Sequence, residues 1–348
     1  MWSNRFHSRP SFAWTAHLLE FGNRLILILL TGWFSSQEGS AQPQWFFHQY
    51  EDPTSISDDR IRDLLVARDG TVWVATWGSG AIRVMPRTWD EHNKVNGFPS
   101  NWVRCIEEDP SGNIWIGTIR GLVCHTPGDQ FWTFSSDGDL EIPDDSIYSL
   151  NMFDDGTLWV GTESGLLLSV QTCDLDTSSF PASFPGWEVA ADEAKTKGGK
   201  VRDILETKSG DLWIALGEKG FVRVRPGQDW EYIPGEADFK NSTDLLFEDS
   251  VGTLYAGMGG GLYRRKGKEW VKVERVGDSA ACAATSPSGD LFVGSGEGLH
   301  IRGEDGWRRV SLPLSIGSPT ISSIAFDANG GLWLGTYEGL IRGAQVPW

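Results

Sequence analysis

At 348 residues the chain is long for one ordinary domain but within the range of a single repeat architecture. Hydrophobic residues at 40% and charged residues at 22% exclude a disordered chain, and a formal net charge of −17 excludes nucleic acid and anionic lipid as partners of the general surface. The unusual counts are 18 Trp and 42 Gly, which point to a short Trp- and Gly-bearing motif used many times over.

The first 41 residues differ in kind from the rest. Arg5, Arg9 and Arg24 precede the apolar run Leu25-Ile26-Leu27-Ile28-Leu29-Leu30, and Gly39-Ser40-Ala41 places small residues before a cleavage point. An apolar stretch of about ten residues suits a secretory leader and is too short to span a bilayer. The expectation is a signal peptide over 1–41, cleaved after Ala41, and a secreted or periplasmic product with no stable membrane span. The alternative is a chain tethered to the membrane by an uncleaved N-terminal segment.

From there the chain repeats itself. Turn glycines fall at Gly70, Gly112, Gly156, Gly210, Gly252, Gly289 and Gly330, each followed three residues later by an aromatic: Trp73, Trp115, Trp159, Trp213, Tyr255, Phe292 and Trp333. Each unit reads as four strands. A short apolar run comes first, then a tight turn in which Gly accepts positive φ, as in Asp69-Gly70 and Asp155-Gly156. A Trp-bearing second strand follows, then a third opened by Gly-Leu, then a Trp-led fourth such as Trp230-Glu231-Tyr232-Ile233. Four antiparallel strands per unit, repeated radially, make an all-β seven-bladed propeller over 42–348.

The seventh unit runs out after Gly339-Leu340-Ile341-Arg342 and lacks a Trp-led fourth strand. Trp45-Phe46-Phe47-His48-Gln49-Tyr50 has that pattern and no blade of its own. Pairing it with the last blade closes the ring and removes a bare sheet edge. The turn glycines lie 42, 44, 54, 42, 37 and 41 residues apart, so the third unit carries an insertion around 172–199, read as an exposed loop.

The units resemble the two-component regulator propeller repeat. Val103-Arg104-Cys105-Ile106-Glu107-Glu108-Asp109-Pro110-Ser111-Gly112-Asn113-Ile114-Trp115-Ile116-Gly117-Thr118-Ile119-Arg120-Gly121-Leu122 follows its pattern almost position for position, and units two, three and seven match best. The resemblance implies an extracytoplasmic sensor propeller, in that family often placed ahead of a membrane span and a histidine kinase and frequently tuned to glycans. No kinase or DNA-binding segment follows here, so the fold and the sensing carry over and the kinase activity does not. Asp154-Asp155-Gly156-Thr157-Leu158-Trp159 also resembles the Asp-box hairpin of sialidase-type propellers, an element of structure rather than catalysis.

Catalytic machinery is not visible. His48, His92, His125 and His300 fall in different blades on outer or third strands, with no nucleophile–base pair to activate. A Glu/Asp pair inside the channel is the one catalytic arrangement left open. Cys105, Cys124, Cys173 and Cys282 form no Cys-x-x-Cys pair, so no metal or other cofactor is expected, and they read as small buried hydrophobes.

A ligand site is better supported. Residues entering each first strand crowd one mouth of the channel together with the loops between second and third strands. These positions hold Arg60, Arg62, Trp102, Arg104, Tyr148, Lys200 and Arg202, and Trp77, Arg120 and Tyr337. Clustered cations in an acidic chain suit carboxylate or sulfate, and aromatic faces suit sugar rings. The expected function is an exported ligand-binding or sensing module whose partner is an anionic or neutral glycan, a membrane signalling protein, or both. The alternatives are a protein–protein scaffold using the same mouth and a propeller lyase or glycoside hydrolase.

Overall fold

The computed structural model describes residues 45–49, 60–85, 88–173, 175–180, 182–235, 243–303, 306–312 and 320–345, all within the compact unit Pro43–Trp348. The leader expected over 1–41 lies outside the described residues.

Seven four-stranded antiparallel sheets form the seven blades. Their innermost strands are Ile61–Val66, Val103–Glu108, Ile147–Met152, Asp203–Glu206, Leu245–Glu248, Cys282–Thr285 and Ile321–Phe326. All seven turn glycines take φ between 79° and 90°, the region that a side chain strains, which is why the hairpin leaving each innermost strand carries Gly. The N-terminal strand Trp45–Gln49 completes the seventh blade. It pairs antiparallel with Gly339–Gln345, from Trp45 opposite Gln345 to Gln49 opposite Ile341. Trp45 packs its ring edge-on to Phe292, centroids 5.7 Å apart, and covers the core of the last two blades.

The apolar residues gather in seven clusters, each shared between neighbouring blades. Trp73 of the first blade packs with Ile106, Ile116 and Val123 of the second. Trp115 packs with Ile147, Leu150 and Leu158 of the third. Trp333 of the seventh blade packs with Ile61, Val72 and Val74 of the first. Six of the seven repeat aromatics are buried, and Trp115 and Phe292 have no exposed area. Trp159 is the half-buried exception. It stands opposite Ser169, whereas Trp73, Trp213 and Trp333 stand opposite Arg83, Arg223 and Arg342, whose guanidiniums lie over the indole rings.

Blades approach closely because the second strand carries Gly or Ala at the level where neighbours touch. A Cβ on Gly335 would meet Ile61 Cγ2 of the first blade at 2.6 Å, and one on Gly117 would meet Ile147 Cγ2 of the third at 2.7 Å.

The insertion departs from the expected exposed loop. Its Phe180, Phe184 and Trp187 pack against Phe134, with Phe184 and Phe134 centroids 4.8 Å apart, and so seal the outer core between the second and third blades. All four cysteines are free; Cys105 and Cys124 are buried as expected, but Cys173 is exposed at the start of the insertion.

Deleting Trp45–Gln49 should bare the Gly339–Gln345 edge and uncover Phe292, giving self-association and a lower melting temperature by light scattering and calorimetry. A truncated chain that stays monomeric with unchanged melting would refute the closure. Trp115→Ala should cost about 3–5 kcal/mol in urea denaturation, the usual loss when a large buried aromatic is emptied; a loss below about 1 kcal/mol would mean that the shared cores are not what holds the blades together.

Candidate functional site

The innermost strands enter the channel from one mouth, and four of them enter through a bulge. The register slips between Ile61 and Asp63, Val103 and Cys105, Ile147 and Ser149, and Ile321 and Ser323. A bulge re-aims the extra residue, and the residues concerned are Arg62, Arg104, Tyr148 and Ser322. Arg202 occupies the same place in the fourth blade, its backbone N–H bonded to Ala215 O.

A cavity of about 650 Å³ opens there, and Arg62, Arg104, Tyr148, Arg202 and Tyr337 all line it. The three arginines therefore share one rim. Arg104 lies over the Tyr148 ring at 3.7 Å from its centroid, with Arg202 at 4.4 Å and the Lys200 ammonium at 5.3 Å. Lys200 also donates to Glu163 at 2.7 Å, which holds the Glu163 carboxyl below the usual range. Burial pulls the Arg104 guanidinium down, with the neighbouring Tyr148 and Glu163 opposing.

Two exposed indoles stand beside the cavity without lining it, reached through Arg62 and Arg104. Trp77 and Trp102 stack in parallel, centroids 5.6 Å apart and planes 5° from coincident, with 37% and 46% of their surface exposed. The Arg62 guanidinium lies 5.4 Å over Trp77, and Arg60 lies 5.2 Å over Tyr337. Arg120 departs from the expectation. It is exposed on its loop, does not line the cavity, and its side chain has no hydrogen bond or ion pair among the described residues. Its loop turns back at Thr118, whose hydroxyl accepts the Arg120 N–H, and so the side chain misses the cluster.

Below the rim the channel turns acidic. Asp63 accepts the N–H groups of Leu64 at 2.8 Å and of Ile106, on the next blade, at 3.0 Å. Asp203 repeats the clip from the fourth blade to Leu246 of the fifth, at 2.6 Å. Burial raises Asp63 to about 6 and Asp203 to about 7 against those hydrogen bonds. Burial, with Asp63 and Asp203 adding repulsion, raises Glu107 to about 8. The sequence left room for a channel carboxylate pair without naming these three. Their signal was an acidic residue within an innermost strand.

The histidines form no nucleophile pair, yet two of them meet. The rings of His92, on the fourth strand of the first blade, and His125, on the third strand of the second, have centroids 6.0 Å apart, among Trp73, Phe98 and Phe131. Burial and the nearby Arg83 push His125 down to about 4 despite Asp129 at 3.2 Å.

The class is thus a closed seven-bladed propeller with a cationic, aromatic mouth above an acidic throat. The model of the two-component regulator propeller family matches residues 55–78, 97–120 and 315–338, in the first, second and seventh blades, so the chain carries that family's repeats. The third blade, expected to match well, is not among the matched segments. No curated protein matches by sequence. Among solved structures, the extracellular domain of a putative one-component system from B. thetaiotaomicron superposes with a TM-score of 0.68 at 18% identity, over 85% of this chain and 39% of that one. The extracellular domain of a putative hybrid two-component system from the same organism gives 0.71 at 13% identity, over 87% and 42%. The chain thus spans about two fifths of the length of these two. Catalytically inactive virginiamycin B lyase from Staphylococcus aureus gives 0.65 at 14% identity, over 87% and 100%. At such identities the likeness is one of fold. No helix among the described residues is long and apolar enough to cross a membrane.

Stability should report the throat. Glu107 and Asp203 titrate higher in the fold than in the unfolded chain, so the fold holds extra protons and loses stability as pH rises through about 7 and 8. Buried histidines act with the opposite sign below about pH 6.5, and above about pH 8 both carboxyls are ionised in the folded and unfolded chain alike, so the window to measure is pH 6.5 to 8. Melting temperature should fall across it, and less in Glu107→Gln; an identical fall in the variant would place the titration elsewhere.

Proposed function

We propose that this chain is an extracytoplasmic sensing propeller that binds a small ligand in the mouth formed by its first four blades. The observation that carries the reading is one cavity of about 650 Å³ lined by Arg62, Arg104, Arg202, Tyr148 and Tyr337, with Arg60, Lys200, Trp77 and Trp102 packed beside those residues outside the lining, in a chain of net charge −17. A concave site of that size suits a small molecule or a chain end better than a flat protein epitope. Two of the structural relatives are extracellular domains of one-component and hybrid two-component systems, which agrees with a sensing role, with residues 1–41 as the export signal and a membrane signalling protein as the receiver. Two of the three channel carboxyls are committed to the fold: Asp63 and Asp203 each accept two backbone N–H groups and clip one blade to the next. The protein is therefore read as a binder and not an enzyme.

The test is binding of the exported protein, whose first residue by mass spectrometry should be Gln42, to an array of neutral and acidic glycans. At least one should bind, more weakly as salt is added, and the double variant Arg62→Ala/Trp77→Ala should lose it while melting almost unchanged, since both side chains are exposed. A blank array alongside retention of a partner protein by the same surface would favour the scaffold reading instead.

A further inference from the structure

Resting on the mouth as the ligand site, we propose that its ligand carries one carboxylate, held by Arg104 and Arg202 beside the Tyr148 ring. The two guanidiniums are incompletely coordinated. Arg104 is 10% exposed; its Nη1 donates to Ser146 Oγ at 3.1 Å and Ile147 O at 3.3 Å, while Nη2 has Glu163 at 3.8 Å, beyond hydrogen-bond reach. Arg202 Nε is buried and makes no hydrogen bond, with the Asp244 carboxylate at 3.5 Å and out of line. Buried charged donors are costly to leave short of acceptors, and although Arg202 Nε itself is closed off, the Arg202 side chain is 25% exposed, so its outer nitrogens are the ones an arriving anion can meet. Both guanidiniums lie against the same phenol ring, Arg104 from the second blade and Arg202 from the fourth, and all three residues line one cavity, so the place beside Tyr148 is flanked by both. A planar carboxylate, which accepts from two donors at once, fits it.

The throat limits the charge to one such group. Asp63 and Asp244 line the same cavity and repel a second negative charge on the ligand, and Asp203, raised to about 7, adds to this in part. The facing wall, from the fifth and sixth blades, is made of Gly259, Ala280, Ala281 and Gly296, which leaves space for a neutral body and offers no further cation. The inferred ligand is therefore a small molecule or chain end with a single carboxylate, and polyanions are rejected.

Calorimetric titration of the exported protein with sodium glucuronate and with N-acetyl-alanyl-alanine, each against its methyl ester, and with heparin, tests this. At least one acid should bind, and which one tells a sugar acid from a peptide C-terminus. Its ester should bind about tenfold or more weakly, the effect of one charge-assisted hydrogen bond. Arg202→Gln should lose the same factor for the acid and nothing for the ester, with Arg202→Lys intermediate; a melting curve confirms that both fold. Esters binding as tightly as acids, heparin binding more tightly than either acid, or no binding by either acid would overturn the single-carboxylate clamp. The mouth reading stands or falls separately: it survives if any bound probe quenches Trp77 and Trp102 fluorescence, and it fails if a probe binds without quenching and without loss in Arg62→Ala/Trp77→Ala.

Discussion

The aromatic three residues after each turn glycine packs into the core of the next blade, and the rest of the molecule depends on that contact. Trp213 meets Leu246, Leu254 and Ala256 of the fifth blade, Tyr255 meets Leu291 and Val293 of the sixth, and Phe292 meets Ile321 and Ile324 of the seventh. A four-stranded blade cannot bury both of its faces alone, so each core exists only between two blades. The arrangement has no natural end until the seventh blade meets the first. Trp333 then reaches Ile61, and Trp45–Gln49 supplies the missing outer strand. Glycine or alanine at the level of closest approach keeps the blades near enough for these contacts.

The same closeness builds the mouth. Tyr148 stands on the third blade, Arg104 on the second and Arg202 on the fourth, so their contacts are interblade contacts. Bulges lift Arg62, Arg104 and Tyr148 out of strand alternation and toward the opening. Aromatic faces attract cations and partly replace the water that a rim arginine gives up. Cations can thus gather there although the nearby anions, Glu163 and Asp244, are not enough to neutralise them.

Deeper in the channel the acidic side chains serve the fold first. Asp63 and Asp203 use equivalent positions to bind a backbone N–H of the following blade, joining the first blade to the second and the fourth to the fifth. Ser149 ties the third blade to the fourth by the opposite bond, its hydroxyl donating to Val201 O. Enclosing these carboxyls in a narrow channel is what raises their proton affinity, and Glu107, two residues further along its strand and within reach of the charge of both, is raised furthest.

By itself the sequence determined the repeat, the number of blades, the turn glycines and the closing strand at Trp45, because each rests on local chemistry: positive φ at a tight turn, alternation along a strand, and an unmatched Trp-led segment. It also placed Arg62, Arg104 and Arg202 on one rim, since equal repeat positions become equal heights around a ring. The tertiary structure alone decided that Arg120 points away and that Phe180 and Phe184 fold down onto Phe134. It likewise decided that Trp77 and Trp102 stack, that Glu107 joins Asp63 and Asp203, and that Arg202 Nε is left without an acceptor. Those outcomes depend on distances between residues some forty positions apart on neighbouring blades. A repeat pattern fixes which residues are equivalent, and packing fixes which of them meet.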